Sequence, residues 1–330
     1  MIENLHIDVT HASPVLWITR KLSANTEARA VRDYDTILEP DDVPASRDRI
    51  IEMSAKVDAI VPCHSEVFDR EVVSQLGDRL KIIANYSVGV DHCDLSALAE
   101  RGIVVTNTPD VLSDATAEIA ILLMLGAARR AVEGDAAVRS RQWNSWSPSF
   151  MVGHQVTGKT MGIVGMGRVG QVVARRAAGF DMQVHYHNRN RLAPELERGA
   201  VFHESLESLL EVSQVLSLHC PATPQTRKLM NDSTFSVLPD NAIFVNCARG
   251  ALVDEDALIN AIESRKLAAA GLDCFETEPG GNEKFSSYQN IFMLPHIGSA
   301  TLETRDAMGY RALDNLDAFF RGDEPRDRLV

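Results

Sequence analysis

Three short segments of this chain carry side chains able to move protons and polarise a carbonyl. Arg249 stands in Val245-Asn246-Cys247-Ala248-Arg249-Gly250. Glu278 stands in Gly271-Leu272-Asp273-Cys274-Phe275-Glu276-Thr277-Glu278-Pro279, and His296 in Leu294-Pro295-His296-Ile297-Gly298-Ser299-Ala300-Thr301. Histidine is the usual proton donor near neutral pH, and a neighbouring carboxylate favours its charged form. Arginine can hold a carboxylate through two parallel hydrogen bonds and stabilise a carbonyl oxygen on which charge develops. The set suits reduction of a 2-keto acid, which needs a proton donor, a carboxylate anchor and a source of hydride. Taken singly, Glu278 could equally be a surface ion-pair partner, His296 a capping residue and Arg249 a solvated charge.

The elements that must position these residues are legible around residues 160–191. Thr160–Val164 is a short apolar run, as expected of a buried parallel strand. Gly165, Gly167 and Gly170 follow as G-x-G-x-x-G, and residues 168–178 read as a helix with Val169, Val172, Val173 and Ala177 on one face. Gln183–Tyr186 reads as the next strand. Between a strand and a helix, this glycine spacing is the dinucleotide fingerprint: a tight turn, close backbone approach to a pyrophosphate, and tight helix–strand packing.

Further apolar runs at Val15–Thr19, Thr36–Leu38, Ala59–Val61, Lys81–Asn85 and Val104–Asn107 precede this unit. Others follow it at Ala200–Phe202, Val215–His219, Ala242–Asn246, Ala269–Asp273 and Ile291–Leu294. Helical patterns lie between most of them, including 69–76, 205–212 and 254–265, so the fold class is α/β with two doubly wound parallel sheets. Residues 112–133 read as one long buried helix, 140–158 as loop, and 302–321 as a last helix that returns to the first domain. The expected division is a discontinuous substrate domain, 1–109 with 298–330, into which a dinucleotide-binding domain, 110–297, is inserted.

The formal net charge of −13 argues against a nucleic-acid partner. The five cysteines, Cys63, Cys93, Cys220, Cys247 and Cys274, form no C-x-x-C pair, so neither a zinc site nor a disulfide framework is suggested. They fit reduced thiols and a cytoplasmic location. Residues 1–12 lack the apolar stretch of a signal peptide, no run reaches membrane-spanning length, and no repeat is evident.

The three chemical segments, with Val88-Gly89-Val90-Asp91 and Thr106-Asn107-Thr108-Pro109, resemble the D-isomer-specific 2-hydroxyacid dehydrogenase family from about Val15 to Phe320. Within it, Trp143, Trp146 and Asn188–Arg189 look most like the glyoxylate/hydroxypyruvate reductases. The resemblance implies a Rossmann domain inserted in a flavodoxin-like domain. It implies His296 as proton donor, Glu278 as its partner, and Arg249 with the backbone N–H groups of Val88 and Gly89 as holders of the substrate carboxylate. It places Thr116, Gly165, Gly167, Arg168, Val169, Gly170, Asn188, Arg189, Cys220, Pro221, Thr226, Cys247, Ala248 and Asp273 around the nicotinamide cofactor. For Asp273, a strand-end acid accepting a local backbone bond is an equal alternative. Related reductases are dimers in which the segment around Trp143 and Trp146 approaches the partner's substrate, so a homodimer is expected; two half-buried packing residues are the plainer alternative.

The position eighteen residues past Gly170 is that of the acid which binds the ribose 2′-OH in NAD-specific folds. It holds Asn188, followed by Arg189, Asn190 and Arg191. Asn188 does not repel a 2′-phosphate, Arg189 can pair with one, and Arg191 adds positive potential, so NADP(H) is expected to be preferred, with NAD(H) possible. Three other readings compete. One is an NAD-dependent dehydrogenase for another 2-hydroxy acid, including the 2-ketogluconate type. Another is a formate dehydrogenase, which would have Gln in place of Glu278. The third is a nucleotide-gated corepressor-like interaction protein, which would keep the same three residues.

Overall fold

A computed structural model describes residues 13–330. The expectation that residues 1–12 are not a signal peptide lies outside the described residues. The chain forms two compact units: the described residues up to Val111 with Thr301–Val330, and Leu112–Ala300.

The first unit holds β1 (Val15–Ile18), β2 (Asp35–Leu38), β3 (Ala59–Val61), β4 (Ile82–Ala84) and β5 (Val104–Thr106), in the order β2-β1-β3-β4-β5, all parallel. That is the flavodoxin-like order, with its reversal between β1 and β3. The central strands β3 and β4 are buried throughout, which is why they read as unbroken apolar runs. The helix Leu302–Phe320 belongs to this unit. Thr301 caps it, and Gly309 lets it approach Thr26, where an added Cβ would lie 2.1 Å from the threonine oxygen.

The second unit holds β6 (Thr160–Val164), β7 (Gln183–His187), β8 (Val201–Phe202), β9 (Val215–Leu218), β10 (Ala242–Asn246), β11 (Leu267–Leu272) and β12 (Ile291–Met293). Their order is β12-β11-β10-β9-β6-β7-β8, all parallel, the Rossmann arrangement with an added edge strand. The register makes the carboxyl ends flush. Val164 lies beside both His187 and Leu218, and Asn246 beside both Leu218 and Leu272. The residues that leave these strands therefore emerge side by side, where ligands bind in open α/β sheets.

One expected element differs. Residues 112–133 are not a single helix: Ser113–Ala128 ends, and Ala131–Arg139 begins after Arg130 in a left-handed conformation, φ 55°. No glycine or proline marks the break. The Arg130 guanidinium instead pairs with Glu133, at 3.0 and 2.5 Å, and that pairing accompanies the bend. Among the described residues no helix is long and apolar enough to cross a membrane.

Candidate active site

The glycine turn after β6 is built as its spacing predicts. Gly165 has φ +93°, and a Cβ there would meet the Cys220 backbone at 2.5 Å, so only glycine fits between two strand ends. A Cβ at Gly170 would lie 2.5 Å from the Gly165 carbonyl oxygen, so the helix and the turn pack closely only with glycine there. Gly167 is the N-cap of the helix Arg168–Ala178, and a Cβ there would meet nothing within 4 Å. Open space in front of the helix N-terminus, with Arg168 and Val169 in its first turn, fits a pyrophosphate.

Asn188 leaves β7 beside this turn, and its Oδ1 accepts the Met166 N–H at 2.7 Å. Arg189 is exposed. Arg191 does not add free positive potential as its position suggests: its guanidinium is paired with Glu197 at 2.7 and 3.0 Å and lies over the Phe202 ring. Glu197 is buried, and this pairing, with the Tyr186 hydroxyl it accepts, holds its carboxyl down at about 2.

After β9, Cys220 and Pro221 open a loop that Thr226 ties back. Its Oγ1 donates to the Pro221 carbonyl at 2.8 Å and accepts the Thr223 N–H at 2.8 Å. After β10, the buried Asn246 side chain shapes the turn that carries Arg249. Its Oδ1 accepts the Ala248 N–H at 3.1 Å and its Nδ2 donates to the Arg249 carbonyl at 2.9 Å. In the sequence Asn246 stands out only as part of its segment. The signal was there, since Asn at a strand end can stand in for backbone in a turn. The Arg249 Nη1 donates to the Ala248 carbonyl at 2.8 Å. Burial pushes the Cys220 thiol up to about 11 and that of Cys247 up to about 12, so neither is a thiolate at neutral pH.

After β11 and β12 come the acid and the histidine. The Glu278 Oε2 lies 2.6 Å from the His296 Nδ1, and its Oε1 accepts the Phe275 N–H at 2.7 Å. The histidine holds a left-handed backbone, φ 53°, a conformation a non-glycine residue adopts only when its surroundings impose it. Its ring is engaged by the carboxylate, so a simple capping role does not describe it. Asp273 is buried and its Oδ1 accepts the Ile297 N–H at 2.8 Å. Burial pushes its carboxyl up. Gly298 lies where a Cβ would be 3.3 Å from Asp273 Oδ2 and 3.5 Å from Thr116 side-chain atoms, so Asp273 and Thr116 border the same turn.

In the first unit, the Val88–Gly89 loop follows β4. The Asn107 Nδ2 donates to the Val88 carbonyl at 2.9 Å and the Ser87 Oγ to the Gly89 carbonyl at 2.8 Å. Both carbonyls are thus tied back by side chains. Trp143 and Trp146 lie in irregular chain and are 54% and 78% exposed, so neither packs as a half-buried core residue.

The flush strand ends, the open glycine turn and the acid–histidine pair define a nicotinamide-dependent dehydrogenase site. The family model for the D-isomer specific 2-hydroxyacid dehydrogenase NAD-binding domain matches residues 121–298. A glycerate dehydrogenase of Hyphomicrobium methylovorum is 45% identical over 307 residues, 92% of this chain and 95% of that protein. A glyoxylate reductase of Pyrococcus furiosus is 42% identical over 317 residues, 94% of each. Among solved structures, an NADPH-dependent glyoxylate/hydroxypyruvate reductase of Sinorhizobium meliloti in complex with NADP and malonate has a TM-score of 0.86 at 31% identity, covering 97% of each chain. The chain belongs to the D-isomer-specific 2-hydroxyacid dehydrogenase family.

Proposed function

We propose that this protein reduces glyoxylate to glycolate or hydroxypyruvate to D-glycerate, with NADPH preferred over NADH. The observation that carries the chemistry is the 2.6 Å contact between Glu278 and His296, set beside the Arg249 turn on the same edge of the sheet. The bound cofactor supplies the hydride. His296 gives the proton to the carbonyl oxygen through Nε2, while Nδ1 faces Glu278, which stabilises the charged ring before transfer. Arg249 holds the substrate carboxylate and the developing oxyanion. Hydride and proton together convert the carbonyl group, an aldehyde in glyoxylate and a ketone in hydroxypyruvate, to the alcohol, so atoms and charge balance.

The substrate reading draws on the relatives named glyoxylate reductase and glycerate dehydrogenase. The NADPH reading draws on residues 188–189. The Asn188 oxygen is used by the Met166 N–H, so the amide end left to a ligand is a donor, which suits a phosphate. The matching family model is described as NAD binding, which favours NAD(H) as the second reading. The exposed Trp143, Trp146, Phe150 and Val152 support a homodimer that covers them, and the reduced cysteines support a cytoplasmic location. The deciding experiment is a panel of 2-keto acids assayed with NADPH and with NADH. Turnover of glyoxylate and hydroxypyruvate with NADPH is expected. No turnover of any 2-keto acid with either cofactor would overturn the proposal in favour of a binding role.

A further inference from the structure

We infer that Glu255 is a positioning residue: its buried carboxylate fixes the 275–282 loop so that Glu278 meets His296. This rests on the catalytic reading of that pair. Glu255 is the first residue of the helix Glu255–Glu263, just past the cap Asp254, and is 8% exposed. Its Oε1 accepts the Glu276 backbone N–H at 2.7 Å and its Oε2 accepts the Asn282 Nδ2 at 2.9 Å. The two contacts bracket Glu278 on both sides in sequence. The second is oriented in turn, because the Asn282 Oδ1 accepts the Lys284 N–H at 3.1 Å, which turns the amide nitrogen towards Glu255.

The residue type is dictated by what it faces. Both partners are donors, so a side chain with two acceptor oxygens is required. A glutamine would set an N–H against one of them. A buried acceptor pair of this kind earns its place through the loop it orders, since the 275–282 segment has little regular structure of its own and its Glu276–Gly280 stretch is exposed. The same piece of chain carries Arg249 six residues earlier, so one short segment supplies the carboxylate anchor and steadies the acid that serves the histidine.

The test uses the full-length enzyme. Glu255→Gln should lower kcat about 10- to 100-fold, as misplacing a catalytic group does. The KM for the keto acid and the affinity for NADPH should stay within about twofold. In a Glu278→Gln background, Glu255→Gln should add little further loss, because both act through one carboxylate. Asn282→Asp is the second variant. It keeps the acceptor for Lys284 and sets like charge against Glu255, and it should reproduce the kcat loss. Wild-type kcat in both variants, or a loss that adds fully to that of Glu278→Gln, would overturn the inference. If Glu255→Gln does not fold, Asn282→Asp decides alone. Full activity of Glu278→Gln by itself would instead sink the catalytic reading, without reference to Glu255.

Discussion

Gly250 has no room for a side chain: a Cβ there would lie 1.9 Å from the backbone carbonyl carbon of Phe275. The turn that carries Arg249 and the loop that carries Glu278 are therefore packed backbone against backbone. Gly250→Ala must push the two apart. An overpacked site of this kind costs about 1–3 kcal/mol of stability. Activity should fall further than stability, by about 10²-fold in kcat/KM, because both catalytic loops move. NADPH affinity, read by nucleotide fluorescence, should fall less than kcat/KM, since the glycine turn after β6 is elsewhere. Near-normal turnover with an unchanged Tm would show that the contact is loose.

His296→Ala should abolish most turnover while NADPH still binds, and Arg249→Lys should not rescue the loss seen in Arg249→Ala. Lysine keeps the charge but lacks the planar fork that meets a carboxylate at two points. Steady-state kinetics with glyoxylate check both. Full activity of Arg249→Lys would mean that only a diffuse positive charge is needed there.

Cofactor preference should reside in two positions. Asn188→Asp with Arg189→Ala should reverse the ratio of kcat/KM for NADPH over NADH, because a carboxylate there repels the 2′-phosphate and accepts the 2′-OH. Arg191→Ala should leave the ratio nearly unchanged, since Glu197 already takes that charge. A large change on replacing Arg191 would contradict this division.

Acid should loosen the dinucleotide-binding unit through His219. Enclosure pushes this imidazole down to about 4 from its ordinary 6.5, while its Nε2 meets the Ser217 hydroxyl at 2.8 Å and its Nδ1 the Cys247 thiol at 3.7 Å. A depressed histidine gives stability that is fully present above the unfolded value and is lost as pH falls towards the folded one. The window is therefore pH 6.5 down to about 4, and the loss reaches up to about 3 kcal/mol. His185 and His203, whose rings meet at 2.8 Å and which burial also lowers, add loss of the same sign. Urea unfolding of wild type and His219→Gln across this window checks it. The variant should show the flatter curve, and parallel curves would refute the assignment.

Much of this architecture was legible because parallel strands buried on both faces are short unbroken apolar runs. Ala59–Val61, Thr160–Val164 and Ala242–Asn246 have the observed bounds. The glycine turn was legible because its spacing has a mechanical cause. The break at Arg130 was not, because no glycine or proline stands there to mark it and the left-handed residue is an arginine. Nor was the pairing of Arg191 with Glu197, which depends on how residues 194–197 fold back under Tyr186. Glu255 reads in sequence as an ordinary acid in the first turn of a helix, and only the fold brings Asn282 to it.

The strand order β10-β9-β6-β7 has a practical consequence. Asn188 leaves β7 and Arg249 leaves β10, three strand spacings apart, or about 14 Å. The residues proposed to choose the nucleotide and the residue proposed to anchor the substrate carboxylate thus stand on strands with two others between them. A designer could therefore change the coenzyme of this scaffold at residues 188–189 while leaving the strand ends that carry Arg249, Glu278 and His296 untouched.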